Sequence, residues 1–436
     1  MLLYLFSRLG LSLDSLSKFM SIAFIRTLVG FAQFSILIFL VAELPLGDVG
    51  EYTIFSIFVS YGTLLLGFNF HTFVARELAH YERQSWSHLL NQNLLFLLIN
   101  GILVFSFLFF LFQLDILPKE YANFFLTILA LSATNNQIEN FLIASGNPLT
   151  STFNVFLRSI WILPLFLINK LQYINIELVN VFQVWLIFEA IGLIYALIIL
   201  KNLSFISFTA QNFDIKWIRK GLAIGFKYTL LGLMLLMTFT IQRLVLAQTH
   251  TEEHVGIFQF FFSIAVFFPN LVESSVFSML LPKIIRESLS TAGNILAPPN
   301  FKLFFGLLMG IGSGLVIIYL LLPTALTILN KPQLIIHQHL FAYISTYSIL
   351  YFISRFFHYH LYAANKDKSL SILNIVALLT SLFSSLLLIP KLGLIGAAIS
   401  LVITGLVMAI TFGFPFFQKH VRSVHEHRSS KTNYPS

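Results

Sequence analysis

The chain has no cysteine among its 436 residues. Disulfide staples, thiolate metal sites and cysteine nucleophiles are therefore excluded. Charge is also scarce: Asp, Glu, Lys and Arg make up 10% of the residues, against about 25% in an average soluble domain. A water-soluble fold is excluded. The net charge of +8 never gathers into a basic tract, so no nucleic-acid partner is expected. No G-x-x-x-x-G-K-[ST] loop occurs; the nearest string, Gly221 to Lys227, reads GLAIGFK with the wrong spacing and gives no ground for ATP-driven transport by this chain alone. Three His-x-His strings occur, His337 with His339, His358 with His360 and His425 with His427. Side chains two apart on a helix point away from each other, and none of the three is an H-E-x-x-H motif, so no metal site is expected. No cofactor motif and no paired carboxylates in a soluble loop are found, and the chain is not expected to be an enzyme. A cleavable signal is not evident either.

What fills the chain is apolar: 57% of the residues are hydrophobic, 49 of them Phe, and the mean hydropathy is +0.86. Apolar runs of about twenty residues recur, the length that crosses a hydrocarbon core of about 30 Å as a helix. In lipid a single segment satisfies its own backbone only as a helix. Runs such as 94–112 are apolar on every face, which excludes barrel strands. Spans are expected near 18–42, 52–73, 89–113, 121–143, 149–169, 177–200, 222–248, 255–281, 302–324, 338–363, 369–389 and 392–416, which makes the fold class an all-α integral membrane protein of about twelve transmembrane helices.

Loop charge orients these spans. Of 26 Lys and Arg, five fall inside spans, and only Lys119, Lys170, Lys331 and Lys391 lie on the side opposite the termini. The remaining seventeen share the side of both termini, so the positive-inside rule predicts cytoplasmic N- and C-termini in a bacterial inner membrane. The connection 201–220 mixes Phe205, Phe208, Phe213, Trp217 and Ile218 with Lys216, Arg219 and Lys220, as an amphipathic surface helix does. Residues Leu2, Leu3, Leu5, Phe6 and Leu9 with Arg8 fit an interfacial segment or a frayed start of the first span.

An internal repeat follows from two matches. Val49-Gly50-Glu51-Tyr52, then Phe55, aligns with Val255-Gly256-Ile257-Phe258, then Phe261, at an offset of 206 residues; LIASGN, Leu142 to Asn147, aligns with LYAANK, Leu361 to Lys366, at 219. With six spans each, the halves share one topology and are expected to be two lobes related by a pseudo-two-fold axis along the membrane normal. The expected organisation is an N-terminal lobe over 1–200, a cytoplasmic amphipathic linker over 201–221, a C-terminal lobe over 222–418 and a basic tail over 419–436. Two parallel lobes suit alternating access.

Intramembrane charges are Arg26, Arg158, Lys227, Arg243 and Arg355, with Glu139, Glu189 and Glu273. Each is costly when facing lipid, about 2.5–3.5 kcal/mol, and belongs inside a bundle or wet cavity. Arg158 and Glu189 suit a structural pair in the first lobe. Glu273, near the kink expected at Pro269, is the candidate coupling carboxylate, with helix pinning as its alternative. The run Gly306, Gly310, Gly312 and Gly314 reads as a close helix approach.

The opening segment with Arg26 and Gly30, the turn Leu46-Gly47-Asp48-Val49-Gly50-Glu51-Tyr52, the turn Ala144-Ser145-Gly146-Asn147 and the second-half echo at Gly256 together resemble the polysaccharide transporter branch of the multidrug, oligosaccharidyl-lipid and polysaccharide exporter superfamily, over roughly residues 15–418. That resemblance implies a flippase moving polyprenyl-pyrophosphate-linked oligosaccharide (an O-antigen or capsule-type repeat unit) to the outer leaflet, through a cavity lined by the first two spans of each half. Lipid-linked oligosaccharide and membrane lipids are its implied partners, with a glycan polymerase and a chain-length regulator as further ones. On these helices Arg26 and Arg243 are candidates for the pyrophosphate, which a guanidinium matches bidentately. Gln33, Asn69 and His71 are candidates for sugar hydroxyls, and Lys227 and Arg355 complete the expected substrate set. The alternatives are a multidrug exporter of the same superfamily, favoured by an acidic cavity, and a membrane enzyme acting on the same lipid-linked glycan.

Overall fold

The structure is a computed structural model and describes residues 13–78, 80–113, 120–170, 176–203, 205, 214–273, 298–364 and 366–432. The N-terminal segment 2–9 and residues 206–213 of the expected linker lie outside these. The described residues are helical apart from short connections. We number the helices α1 (Leu13–Glu43), α2 (Leu46–Gly67), α3 (Phe70–Leu78), α4 (Trp86–Gln113), α5 (Ala122–Ala144), α6 (Pro148–Ser159), α7 (Ile162–Lys170), α8 (Leu178–Asn202), α9 (Ile215–Thr249), α10 (Glu252–Val272), α11 (Pro298–Leu329), α12 (Pro332–Ile336), α13 (Leu340–Ala363) and α14 (Asp367–Thr432).

Ten of these segments are long and apolar enough to cross a bilayer. One of the ten, Lys368–Pro415, has 48 residues and contains the non-helical Gly393 (φ 56°, ψ −129°), which divides it into two spans. The 23-residue α5 is a further span, kept out of the ten by Asn135, Asn136, Gln137, Glu139 and Asn140. Twelve spans result among the described residues, as the hydropathy pattern predicts.

Local chemistry explains the helix ends. Glu177 and Asn180 form a reciprocal capping box at the start of α8, and Glu252 and Glu253 place carboxylates on the positive end of α10. The expected span 149–169 is two helices because Pro164 has no N–H for the carbonyl of Ile160 and its ring crowds that residue. Ile160 caps α6, and its carbonyl is taken by Leu163 N at 3.0 Å. Gly393 is held beside His250, whose Nε2 would lie 3.1 Å from any added Cβ, so both its positive φ and its crowding demand glycine.

The chain divides into two compact units, Met1–Leu236 and Met237–Ser436, with the division falling inside α9. From Ile215 onward the expected linker is the first part of that 35-residue helix. There Trp217 packs on Phe70 and Phe73, and Lys220 Nζ lies 2.9 Å from Glu77 Oε1.

Each unit is apolar outside and partly polar inside, the reverse of a soluble domain. In the first unit Leu103, Phe107 and Phe110 are exposed, whereas Asn93, Asn135 and Asn154 are fully buried. In the second unit Leu320, Leu387 and Ile410 are exposed, while Ser381, Ser385, Ser400 and Thr404 are fully buried. Gln242 Nε2 donates to Ser381 Oγ at 2.9 Å, and Ser381 Oγ to the carbonyl of Thr238 at 2.9 Å.

Both halves of the repeat have the same local geometry at the matched positions. Val49 and Val255 begin α2 and α10 and are fully buried. At the second match, Ser145 N donates to Phe141 O (2.8 Å) and Asn147 N to Leu142 O (2.8 Å), while Ala364 N donates to His360 O (3.0 Å) and Lys366 N to Leu361 O (3.1 Å). The same pair of turn-closing bonds, of the kind that ends a helix, recurs at the offset of 219 residues.

The glycines of α11 do not make the close approach expected of them: a Cβ at Gly306, Gly310 or Gly312 meets nothing within 4 Å, and only at Gly314 does it reach a neighbour, the Phe268 ring at 3.2 Å. The close approach lies on α9. A Cβ on Gly221 would fall 2.4 Å from Phe70, and one on Gly225 would fall 2.5 Å from the carbonyl oxygen of Phe68. The string with failed P-loop spacing is a packing seam.

Candidate functional site

In the first unit α2 stops at Gly67 inside its expected span, and α3 restarts at Phe70. Phe68 and Asn69 between them are left-handed, with φ of 48° and 44°. Carbonyls freed at the end of α2 are met from neighbouring helices. Asn100 Nδ2 donates to Leu65 O (2.9 Å) and Leu66 O (2.8 Å), and Gln137 Nε2 donates to Gly67 O (3.3 Å).

Beside this break lies a cavity of about 600 Å³, lined by Ser60, Thr63, Asn69, His71, Asn136, Gln137 and Asn140 with Arg158, Trp185 and Glu189. Its volume suits a drug-sized group. Trp185 forms an aromatic wall. It is held by Tyr52 at 5.8 Å between ring centroids and by Phe55 at 5.8 Å; the string Leu46 to Tyr52, expected as a turn, is the start of helix α2.

Arg158 and Glu189 border the cavity, and Arg158 joins Glu189 to a second carboxylate, Glu139, outside the lining. Arg158 Nε and Nη2 bind Glu189 Oε2 and Oε1 at 2.7 and 3.0 Å, and Nη1 binds Glu139 Oε1. Glu189 also accepts from Asn135 Nδ2 (3.0 Å) and Trp185 Nε1 (3.3 Å). The triad has one more acid than base. A surplus carboxylate in low dielectric needs a proton or a cation, because the bare charge is costly to bury.

Of the candidate residues, Asn69 and His71 line this cavity; Arg26, Gln33 and Lys227 lie on first-unit helices outside its lining, with Gln33 and Lys227 exposed. Arg243, Arg355 and Glu273 belong to the second unit. Buried Arg243 donates from Nη1 to Gln259 Oε1 (2.7 Å) and from Nη2 to the carbonyl of Phe239, with its guanidinium 4.4 Å from the Phe262 ring centroid. Glu273 is clasped by Arg355, whose Nε lies 2.9 Å from Oε1, and by the hydroxyls of Tyr351 and Tyr359, each at 3.0 Å. That clasp ties the end of α10 to α13. The pairing foreseen for Arg158 and Glu189 is present and includes Glu139. Gln137, Asn136 and Asn140 were missed, although a run of five polar residues within six positions of one span is the densest such signal in the chain.

No family model matches the chain, and neither does any curated protein. Among solved structures the chain is similar to a multidrug resistance MATE family transporter of the MOP superfamily in an inward-facing conformation: TM-score 0.67, 14% identity, covering 94% of this chain and 99% of that one. An outward-facing conformation of a MATE family transporter matches with TM-score 0.57 and 16% identity over 93% of this chain and 95% of that one. A mutant of the Vibrio cholerae MATE transporter VcmN matches with TM-score 0.62 and 14% identity over 93% of this chain and 98% of that one. The chain thus has the two-lobed, all-helical fold of MATE transporters.

Proposed function

We propose that this protein is a secondary exporter that moves amphipathic molecules by alternating access, in the manner of the multidrug exporters whose fold it shares. The observation that carries the reading is the polar cavity inside an otherwise apolar helical unit, bordered by Arg158 and Glu189 of the Glu139–Arg158–Glu189 triad. A cationic cleft was expected for a pyrophosphate carrier; the guanidinium at this cavity is instead bound by two carboxylates, Glu189 at the lining and Glu139 outside it, the acid-rich balance that favours the exporter alternative. Proton or cation exchange at the surplus carboxylate would supply the differential stabilisation of two states that transport requires. Glu273, the other candidate for coupling, has its charge matched by Arg355. The test is expression in an exporter-deficient bacterium with resistance measured against a panel of amphipathic dyes and drugs. Wild type should confer resistance, and Glu189→Gln should abolish it at equal membrane abundance. Equal resistance from both would sink the coupling role.

The second reading is the flippase for lipid-linked oligosaccharide. It is favoured by the amide and hydroxyl groups of Ser60, Thr63, Asn69, Asn136 and Asn140 beside Trp185, which match sugar hydroxyls and apolar sugar faces. In this reading Arg26, on α1 of the first unit, is the candidate for the pyrophosphate. Restoration of surface glycan in a flippase-deficient strain, with no change in drug resistance, would select it over the first.

A further inference from the structure

The break between α2 and α3 is expensive as built. A left-handed backbone is unfavourable for a bulky residue such as Phe68 and easier for Asn69, and here the two stand in succession with no glycine between them. Neighbours enforce the conformation: Asn100 and Gln137 bind the freed carbonyls, and Gly225 leaves space for the Phe68 oxygen. Backbone strain held in place by its surroundings concentrates where a ligand is gripped.

Gln137 has one end committed and one end open. Its Nε2 holds Gly67 O, while its Oε1 has no hydrogen-bond partner among the described residues, although the side chain is only 2% exposed and borders the cavity. His71 Nδ1, on the first turn of α3, is buried in the same state. A buried polar atom without a partner is costly, so a polar group entering the cavity that reaches these atoms is favoured there.

The repeat shows what the same place holds in the other half. At the offset of 206 Glu273 falls opposite Gly67, and at 219 Arg355 and Tyr359 fall opposite Asn136 and Asn140. In the second unit those three side chains bind one another. In the first unit the glycine and the two shorter amides leave the space open.

We propose that the break at Phe68–Asn69, with Gln137, His71, Asn136 and Asn140, is a recognition site for an uncharged, hydroxyl-bearing group on the transported molecule. The site offers an acceptor, Gln137 Oε1, and the amide donor of Asn136, whose Oδ1 accepts from Asn140 Nδ2 at 2.7 Å. A hydroxyl donates and accepts, whereas an ammonium only donates and a phosphate only accepts. This inference rests on the reading of the cavity as the place that holds the solute.

The test uses the full chain in lipid nanodiscs, with empty nanodiscs as the partitioning control, titrated with hexyl β-maltoside, hexyltrimethylammonium and hexyl phosphate while tryptophan emission is followed. The maltoside should bind at least tenfold more tightly than the two charged probes. Gln137→Leu should weaken it about tenfold, the equivalent of one net hydrogen bond. Asn140→Ala, which leaves the Gly67 contact in place, should also weaken it. Free maltose binding as well as hexyl maltoside would identify a soluble sugar as the ligand; dependence on the alkyl chain would identify a membrane-anchored one. Undiminished maltoside binding in both folded variants, or charged probes binding as well as the maltoside, would overturn the proposal. Failure of all three probes to bind wild type would instead overturn the reading of the cavity as a solute site.

Discussion

Replacing Arg158 with Ala should be among the most damaging single changes in the first unit. The guanidinium binds both oxygens of Glu189 and one of Glu139, and the three side chains are only 15%, 4% and 13% exposed. Without it two carboxylates face each other in the bundle with no countercharge. Removing one partner of a buried ion pair typically costs about 3–5 kcal/mol. For a unit of 236 residues, about 2–4 °C of melting temperature accompany each kcal/mol, so the drop should be about 6–20 °C. The loss should shrink toward acid pH, because protonation relieves the repulsion that the missing guanidinium once balanced. Glu139→Gln should cost less, since it leaves the bidentate contact to Glu189 intact. Tryptophan emission during heating of detergent-purified protein is a suitable assay, as a cysteine-free chain gives thiol-reactive dyes nothing to report. A drop below 2 °C at pH 8, or an equal drop in a variant that also carries Glu139→Gln and Glu189→Gln, would refute the electrostatic account.

The other predictions concern packing, backbone, pH and topology. Gly225→Val pushes a side chain against the Phe68 carbonyl and should lower stability by about 1–3 kcal/mol, whereas Gly310→Val, facing open space, should stay within about 0.5 kcal/mol; equal melting of the two would contradict the seam. Phe68→Gly should relieve the left-handed strain yet weaken solute binding through a looser break, and a gain in affinity would count against strain as a gripping device. Partial burial first, and then the charges of His339 and His254, hold the imidazole of His337 below its usual 6.5. Folding therefore disfavours its proton, so its contribution is complete above pH 6.5 and is lost as pH falls; a His337→Gln variant whose melting temperature falls as steeply as wild type between pH 7.5 and 5.5 would show that it plays no part. Thr251→Cys, in the connection between α9 and α10, should react with a membrane-impermeant maleimide in intact cells, and Lys201→Cys should not; the reverse pattern would invert the topology.

How far the structure was legible in the sequence depended on the kind of signal. Span number follows from hydropathy because every lipid-facing side chain must be apolar, and the repeat was readable at its turns because few residues fit a helix end. Interior polar groups were harder. Arg26 and Arg243 stood out as charges, yet the cavity is built mainly from uncharged amides such as Asn136, Gln137 and Asn140, which hydropathy treats as minor interruptions of α5. The break at Phe68–Asn69 has only a weak sequence mark, an asparagine, which tolerates the left-handed region; neither residue is a glycine or proline, and the contacts that enforce the break come from α4, α5 and α9. The glycines illustrate the same limit. Those of α11 have the spacing of a packing motif, yet only Gly314 has a close neighbour among the described residues, and Gly221 and Gly225 form the seam with no distinguishing pattern beyond their four-residue separation.

The turn shared by Leu142–Asn147 and Leu361–Lys366 bears on the history of the chain. Its bonds join backbone to backbone, so they survive the replacement of nearly every side chain around them. If the two halves descend from one duplicated gene, such turns are the fossils by which the copies are still aligned. Between the first match and the second, the later copy has gained a net thirteen residues, since the offset grows from 206 to 219. Length therefore drifted within the half while its helix endings did not, which makes the turns the positions where an inserted tag or reporter should be least tolerated.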